Sequence, residues 1–205
     1  MKKENFCDIY VARIPSGEMV FESLYPESRE AEVAGVRNER VRREKYFVWR
    51  LFALALKKSL DINIKDLEIK KNANGKWLAE GISFSLSHGG DAVAVALSSG
   101  AVGIDIEPLS AVKNENIAKR VLTEREMLEL DLIPENEKRE YIVKKWTAKE
   151  AIFKSLDEPT FSPGTIEVSE YGVVWKDAVI CGEKYVIAAF NENACEPNVF
   201  LDFSL

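Results

Sequence analysis

The stretch Val102-Gly103-Ile104-Asp105-Ile106-Glu107 decides how this chain is organised. Its β-branched residues alternate with others, which predicts a strand whose side chains point to opposite faces in turn. Gly103, Asp105 and Glu107 then share one face. Neighbouring carboxylates repel each other unless a cation or a proton is shared between them, and hard oxygen ligands suit Mg²⁺. The strand therefore predicts a magnesium site, with Gly103 leaving open space for a ligand.

A second stretch, Trp146 to Lys154, reads Trp-Thr-Ala-Lys-Glu-Ala-Ile-Phe-Lys and lies in a helix predicted from about residue 137 to 155. Helical spacing places Thr147, Glu150 and Lys154 on one stripe. That stripe offers a third carboxylate and an ammonium. The simpler alternative is a solvent-facing strand edge together with an ordinary surface pair on the helix, which is worth a few tenths of a kcal/mol.

Together the two stretches resemble the bipartite signature of the 4′-phosphopantetheinyl transferases, Val-Gly-Ile-Asp-x-Glu followed by Trp-x-x-Lys-Glu-x-x-x-Lys. The resemblance implies that the phosphopantetheine arm of coenzyme A is moved to a serine of an acyl- or peptidyl-carrier protein, with release of adenosine 3′,5′-bisphosphate. It also implies roles for the motif residues. Magnesium would be held by Asp105, Glu107 and Glu150. Glu150, directly or through a water molecule, would accept the serine proton, and Lys154 and Lys149 would stabilise charge on the phosphates.

The same resemblance suggests residues for the nucleotide end of coenzyme A, namely Arg43, Lys76, Ser87 and His88, together with Lys154. Arginine binds phosphate oxygens in a bidentate manner, and Arg42 or Arg50 could replace Arg43 under a small shift in register. The turn Gly75-Lys76-Trp77 keeps the Gly and Lys of the family pattern but not its Pro. His88 is the only histidine and has no neighbouring metal ligand, so phosphate binding suits it better than a metal site.

Composition narrows the function classes. The chain has 28 basic and 34 acidic residues among 205, a net charge of −6, which argues against bulk nucleic-acid binding. Three distant cysteines suit a reduced, cytoplasmic protein better than a disulfide framework. No run of eighteen apolar residues or secretory signal is present, so no membrane association is expected.

The order of elements predicts an α+β protein with two halves, residues 1–100 and 101–205. The resemblance, which is to the surfactin-synthetase-activating type of the family, implies two similar α/β lobes in one chain with the active site between them. We expect a monomer, since such a chain would contain both halves of its site. The predicted elements are strands at 8–14, 18–21, 67–71, 76–79, 82–87, 92–97, 102–107, 165–168, 172–175, 185–190 and 199–203, an Arg-rich helix from about 31 to 60, and helices at 114–122, 123–130 and 137–155.

Two alternative functions from other classes remain open. A metal-dependent phosphohydrolase would use the same three carboxylates but water as the acceptor. A non-catalytic carrier-binding module would keep the fold and use the acidic residues for structure, although four charges facing one cleft are costly without a function.

Overall fold

The computed structural model describes residues 5–17, 20–112, 115–156, 158–203 and 205. In this part of the chain, runs of strands and runs of helices follow one another along the sequence, which is consistent with the mixed α+β class. The strands are β1 Cys7–Arg13, β2 Ile69–Lys71, β3 Trp77–Ala79, β4 Ser83–Gly89, β5 Ala92–Ser98, β6 Val102–Pro108, β7 Val174–Ile180, β8 Glu183–Asn191 and β9 Asn198–Phe200. The helices are α1 Glu27–Ala34, α2 Glu39–Leu60, α3 Ala118–Val121, α4 Glu124–Asp131 and α5 Glu135–Ser155.

Two larger sheets form the centre of the molecule. The first has the strand order β4-β5-β1-β9 and the second β6-β8-β7, while β2 and β3 form a separate hairpin. The alternating strand β6 pairs antiparallel with β8, so that Asp105 lies opposite Ala188. Among the described helices, none combines the length and apolar character needed to cross a bilayer.

The two large sheets pack face to face, and each has a long helix on its outer side. Small residues make the close approach possible, since Ala92, Ala94 and Ala96 of β5 lie in the same core cluster as Ile104 and Ile106 of β6. Helix α2 packs against the first sheet and α5 against the second. The apolar side chains of β6 are therefore buried in the core between the sheets, and the other face of β6 packs against α5.

The C-terminal strand crosses back to the N-terminal sheet. Strand β9 pairs parallel with β1, and the Asn198 side chain donates to Asp8 at 2.8 Å. Asp8 is buried and also accepts from Ser59 of α2 at 2.7 Å. A boundary at residue 100 therefore does not separate the sheets completely, because the last strand belongs to the first sheet. The similarity of the two lobes to each other stays a prediction.

Local signals explain several element ends. Asn38 caps the start of helix α2, because its side chain accepts from the Val41 amide, and Thr123 and Glu126 form a capping box at the start of α4. The hairpin around Asn74-Gly75 is confirmed by the pairing of β2 with β3. Each of these interactions joins residues close in sequence, so it can be recognised from the sequence alone.

Other elements differ from the prediction. The Arg-rich region forms two helices, α1 and α2, and the predicted strand at 165–168 is replaced by short 3-10 helices. In the predicted strand 18–21, residues 18 and 19 lie outside the described residues, and 20 and 21 are not in a strand. The start of the predicted helix 114–122, at Asn114, also lies outside them. Short apolar runs do not distinguish strand from turn without their tertiary neighbours.

Candidate active site

The candidate site lies where the edges of the two large sheets meet. Strand β4 ends one sheet and β6 ends the other. The Ser85 hydroxyl accepts from the Ile104 amide at 3.1 Å, and the Ser87 hydroxyl accepts from the Ile106 amide at 3.4 Å. Serine side chains thus satisfy backbone donors that a neighbouring strand would otherwise pair. This bridging brings β4 beside the acidic face of β6.

Asp105 is the centre of the charged cluster. The residue is buried, and Oδ1 accepts from the Ser87 hydroxyl at 2.6 Å and from the Lys154 ammonium at 2.7 Å. The same ammonium lies 3.4 Å from Glu150. Asp105 Oδ2 is also buried, and no described residue offers it a hydrogen bond. A buried carboxylate oxygen without a partner is costly, so this oxygen is available for a further ligand.

Gly103 has a different role from the one its sequence context predicts. A Cβ at this position would overlap the carbonyl oxygen of Ala151 and approach the amide of Ser155 to 2.7 Å. The prediction of open ligand space is therefore wrong, because the backbone of α5 fills it. Gly103 instead allows the helix that carries Glu150 and Lys154 to lie directly on β6.

The three carboxylates influence one another's protonation. Burial and, to a smaller extent, the charges of Asp105 and Glu150 raise the pKa of Glu107 to about 8, against the opposing effects of Lys154 and a hydrogen bond from Trp146. The pKa of Glu150 is also raised, first by burial and then by Asp105. Carboxylates that resist ionisation in this way need a nearby cation to become charged.

The acidic cluster is a candidate magnesium site. Within the described residues, no group of three or more His, Cys, Asp or Glu side chains forms a ready-made metal site. The donor chemistry nevertheless fits, because Asp105 has a buried oxygen without a partner and two further carboxylates repel it electrostatically. In this structure the Lys154 ammonium supplies the positive charge among them.

The structure does not bring Lys149 to this cluster. Lys149 is 0% exposed, its ammonium lies 2.6 Å from Glu126, and it donates to the backbone oxygens of Val121 and Pro163 at 2.7 and 2.9 Å. Three acceptors satisfy its three donors. The predicted contact of Lys149 with phosphates is corrected accordingly. Its side chain instead fixes the segments around α3 and residue 163 against α5.

A cavity of about 500 Å³ opens beside the cluster. It is lined by residues of the stretch 74–86 on one side and of the stretch 153–161 on the other, including Lys76, Trp77, Phe84, Phe153, Lys154 and Phe161. Lys76 and Lys154 therefore border the same space, as expected for residues that bind one ligand. Aromatic walls with two cations suit an anionic ligand that also has a flat or apolar part.

The other residues predicted to contact the nucleotide, Ser87 and an arginine of α2, do not lie together. Ser87 is 4% exposed and its hydroxyl faces Asp105, so it lies with the acidic cluster. The guanidinium of Arg43 donates to the backbone oxygens of Pro15 and Gly17. Of the alternatives, Arg42 stacks over Phe21 and Arg50 pairs with Glu22.

His88 has a carboxylate neighbour that sequence reasoning missed. His88 Nδ1 lies 3.4 Å from Glu44 of α2, and Glu44 also accepts from Arg40 at 3.0 Å. Burial lowers the pKa of His88, whereas Glu44 raises it and Lys154 lowers it. The only local signal for Glu44 was its i,i+4 spacing from Arg40, which is typical of a surface pair. Its contact with a residue 44 positions away required the fold.

Two comparisons with known proteins agree with the motifs. Residues 101–180 match the model of the 4'-phosphopantetheinyl transferase superfamily. A curated relative, the 4'-phosphopantetheinyl transferase gsp of Aneurinibacillus migulanus, is 30% identical over 105 residues, or 51% of this chain and 44% of that protein. The match thus spans less than half the length of that relative. The resemblance to the superfamily is confirmed.

Proposed function

We propose that this chain, given its confirmed resemblance to the superfamily, is a magnesium-dependent 4'-phosphopantetheinyl transferase. Its substrates would be coenzyme A and the serine of an apo acyl- or peptidyl-carrier protein, and its products the holo carrier and adenosine 3′,5′-bisphosphate. The proposal includes a two-lobed chain that acts as a monomer in the cytoplasm. Three unpaired cysteines support that location, since reducing compartments keep thiols free.

The observation that carries the proposal is the meeting of the two motifs. Asp105 from β6 and Lys154 from α5 lie 2.7 Å apart, beside a cavity lined by residues from the β2–β4 region and from the end of α5 and the segment after it. If Glu150 and Lys154 were an ordinary surface pair of the helix, both side chains would be fully solvated. Both side chains are half-buried beside the buried Asp105. This supports a shared chemical task, because charges are withdrawn from water at a cost.

Asp105, Glu107 and Glu150 would hold magnesium. When bound, the metal would neutralise charge on the pyrophosphate and orient the phosphorus for in-line attack. Of this chain's own groups, the Glu150 carboxylate would accept the serine proton, directly or through a water molecule. Lys154 would stabilise the negative charge that builds on the leaving phosphate.

The nucleotide end of coenzyme A would lie in the cavity between Lys76 and the end of α5. His88 and Lys76 would contact phosphate, with Arg43 the arginine we favour. Ser87 would contribute indirectly by holding Asp105 through its 2.6 Å hydrogen bond. The walls formed by Trp77, Phe84 and Phe161 give a flat base an apolar surface to contact.

One experiment tests the proposal against its rivals. The protein is incubated with coenzyme A, Mg²⁺ and an apo carrier protein, and the carrier is weighed by mass spectrometry. We expect a gain of one phosphopantetheine arm and release of adenosine 3′,5′-bisphosphate in equal amount. Breakdown of coenzyme A with no gain in mass would support a phosphohydrolase instead, and the absence of both reactions a carrier-binding module.

A further inference from the structure

We propose that Glu44 is a positioning residue that holds the His88 imidazole towards the 3′-phosphate of coenzyme A. The inference rests on the proposed function and assigns a task to a residue outside both motifs. Glu44 is 7% exposed, and its carboxylate lies between Arg40 and His88. A glutamate with this degree of burial on a charged helix calls for an explanation, since glutamate is rarely buried unless it is paired.

The geometry determines which histidine nitrogen is available. Nδ1 faces Glu44 at 3.4 Å, so a proton on Nδ1 is stabilised by the carboxylate, and Nε2 lies on the opposite side of the ring. The His88 side chain is 37% exposed, whereas that of Glu44 is 10% exposed. A buried carboxylate behind a partly exposed imidazole is the arrangement by which second-layer acidic groups orient histidine ligands.

The charges around His88 come from three elements. Glu44 and Lys45 lie on α2, Asp105 on β6 and Lys154 on α5. The two carboxylates favour the imidazolium, whereas the two ammonium groups disfavour it. Asp105 is already bonded to Lys154 at 2.7 Å. Glu44 therefore only partly offsets burial, which still holds the pKa of His88 below its ordinary value. A bound 3′-phosphate would add the further negative charge that favours the imidazolium, whose Nε2–H can then donate to it.

Glu44 could also have the opposite role and repel a phosphate, and the experiment must distinguish the two roles. A carboxylate near a phosphate site could repel the phosphate, in which case Glu44 would select against a 3′-phosphorylated ligand. Arg40 lies 3.0 Å from Glu44 and reduces its field, which favours positioning over repulsion. The two roles predict opposite changes when the charge is removed.

The experiment measures binding of coenzyme A and of dephospho-coenzyme A to the full chain by titration calorimetry. Glu44→Gln keeps the side-chain shape and removes its charge. We expect coenzyme A affinity to fall about tenfold while dephospho-coenzyme A affinity changes less than twofold, so the preference for the 3′-phosphate falls about tenfold. A merely structural role would weaken both ligands equally.

A double-mutant cycle and a control on the same helix complete the test. His88→Asn should reduce the preference for the 3′-phosphate at least as much, and Glu44→Gln should add nothing in its presence. The exposed Glu39→Gln removes the same charge from α2 and should leave both affinities unchanged. An unchanged or increased preference in Glu44→Gln, or fully additive losses with His88→Asn, would overturn the inference.

Failure of the inference can be told apart from failure of the proposed function. If the parent protein adds the arm to an apo carrier but Glu44→Gln keeps the parental preference, only the role of Glu44 falls. If the parent neither modifies the carrier nor binds coenzyme A, the transferase assignment falls and the role of Glu44 falls with it.

Discussion

The ammonium of Lys154 lies 2.7 Å from Asp105 Oδ1, although the two residues are 49 positions apart in sequence. The contact joins the strand motif to the helix motif. Both side chains are largely withdrawn from solvent, with exposed fractions of 27% for Lys154 and 3% for Asp105. Substitution of either residue therefore affects folding as well as chemistry, so variants must be chosen to separate the two effects.

Asp105→Asn should remove most of the transfer activity with a modest effect on stability. The amide keeps the size of the side chain and can still accept a hydrogen bond, but it loses the charge that holds magnesium and Lys154. We expect turnover to fall by about a hundredfold or more and the free energy of unfolding by about 1 kcal/mol. The carrier mass assay and urea denaturation measure the two quantities.

Asp105→Ala is the informative comparison. It leaves the Ser87 hydroxyl and the Lys154 ammonium without their shared acceptor, so we expect a further loss of about 2 kcal/mol in unfolding free energy. Equal stability of the Asn and Ala variants would contradict the cluster described here. Near-normal turnover of Asp105→Asn in saturating Mg²⁺ would contradict the metal assignment.

Glu107 gives a prediction about pH. Its pKa is about 8 in the folded protein and about 4.5 in the unfolded chain, so the folded state retains a proton that the unfolded state loses between these values. Without metal, the stabilising contribution of protonated Glu107 is full below pH 4.5 and is lost as pH rises towards 8. Melting temperatures without Mg²⁺ should therefore decline over this range, and less so in Glu107→Gln.

Magnesium should act in the opposite direction on the same group. Metal binding requires the carboxylate, so stabilisation of the parent by Mg²⁺ should increase from pH 6 to pH 8. Glu183→Gln serves as the control, because Glu183 is an acidic residue of β8 outside the three proposed metal ligands. A Mg²⁺ effect that is independent of pH and survives Glu107→Gln would exclude Glu107 as a ligand.

Much of the fold was readable from local sequence patterns. The alternation in β6 correctly separated Ile104 from Asp105, because a strand with one core face fixes the direction of every side chain. The capping box at Thr123 and the turn at Asn74-Gly75 were equally local. The return of β9 to β1 was not readable, since no nearby residue specifies which strand a short terminal segment will join.

The site divides in the same way. Spacing grouped Glu150 with Lys154 and left Lys149 off that stripe, and only the family resemblance assigned Lys149 to the phosphates. Lys149 and Glu150 are adjacent helix positions that point about 100° apart, and the packing of α5 decides which direction reaches β6. Glu44 and Glu126 were missed because their partners, His88 and Lys149, meet them only in the folded chain.

Gly103→Ala should disrupt the contact between α5 and β6. The added methyl group would overlap the backbone oxygen of Ala151, and rigid helix backbone cannot yield as a flexible side chain could. We expect a loss of more than about 3 kcal/mol in unfolding free energy, together with reduced activity per folded molecule. Gly172→Ala is the matched control, because its Cβ meets nothing within 4 Å and its effect should stay within about 1 kcal/mol.

The two lysines of the helix motif should behave in opposite ways. Lys149→Met leaves the Glu126 carboxylate buried without its 2.6 Å partner, so we expect a loss of about 3–5 kcal/mol in unfolding free energy. Turnover per folded molecule should change less than about threefold, because Lys149 does not reach the acidic cluster. Lys154→Met should lower turnover about a hundredfold, since it removes the cation beside the reacting phosphates.

A second substitution identifies the cause of the Lys149 effect. Glu126→Gln removes the buried charge but keeps a side-chain oxygen. In the parent protein, such an oxygen of Glu126 accepts a hydrogen bond from the Thr123 amide at 3.0 Å in the capping box. Combined with Lys149→Met, it should restore about 1–2 kcal/mol, because no uncompensated charge then remains. The comparison uses chemical denaturation alongside turnover corrected for the folded fraction. A hundredfold loss of turnover in Lys149→Met with unchanged stability would instead return Lys149 to a catalytic role.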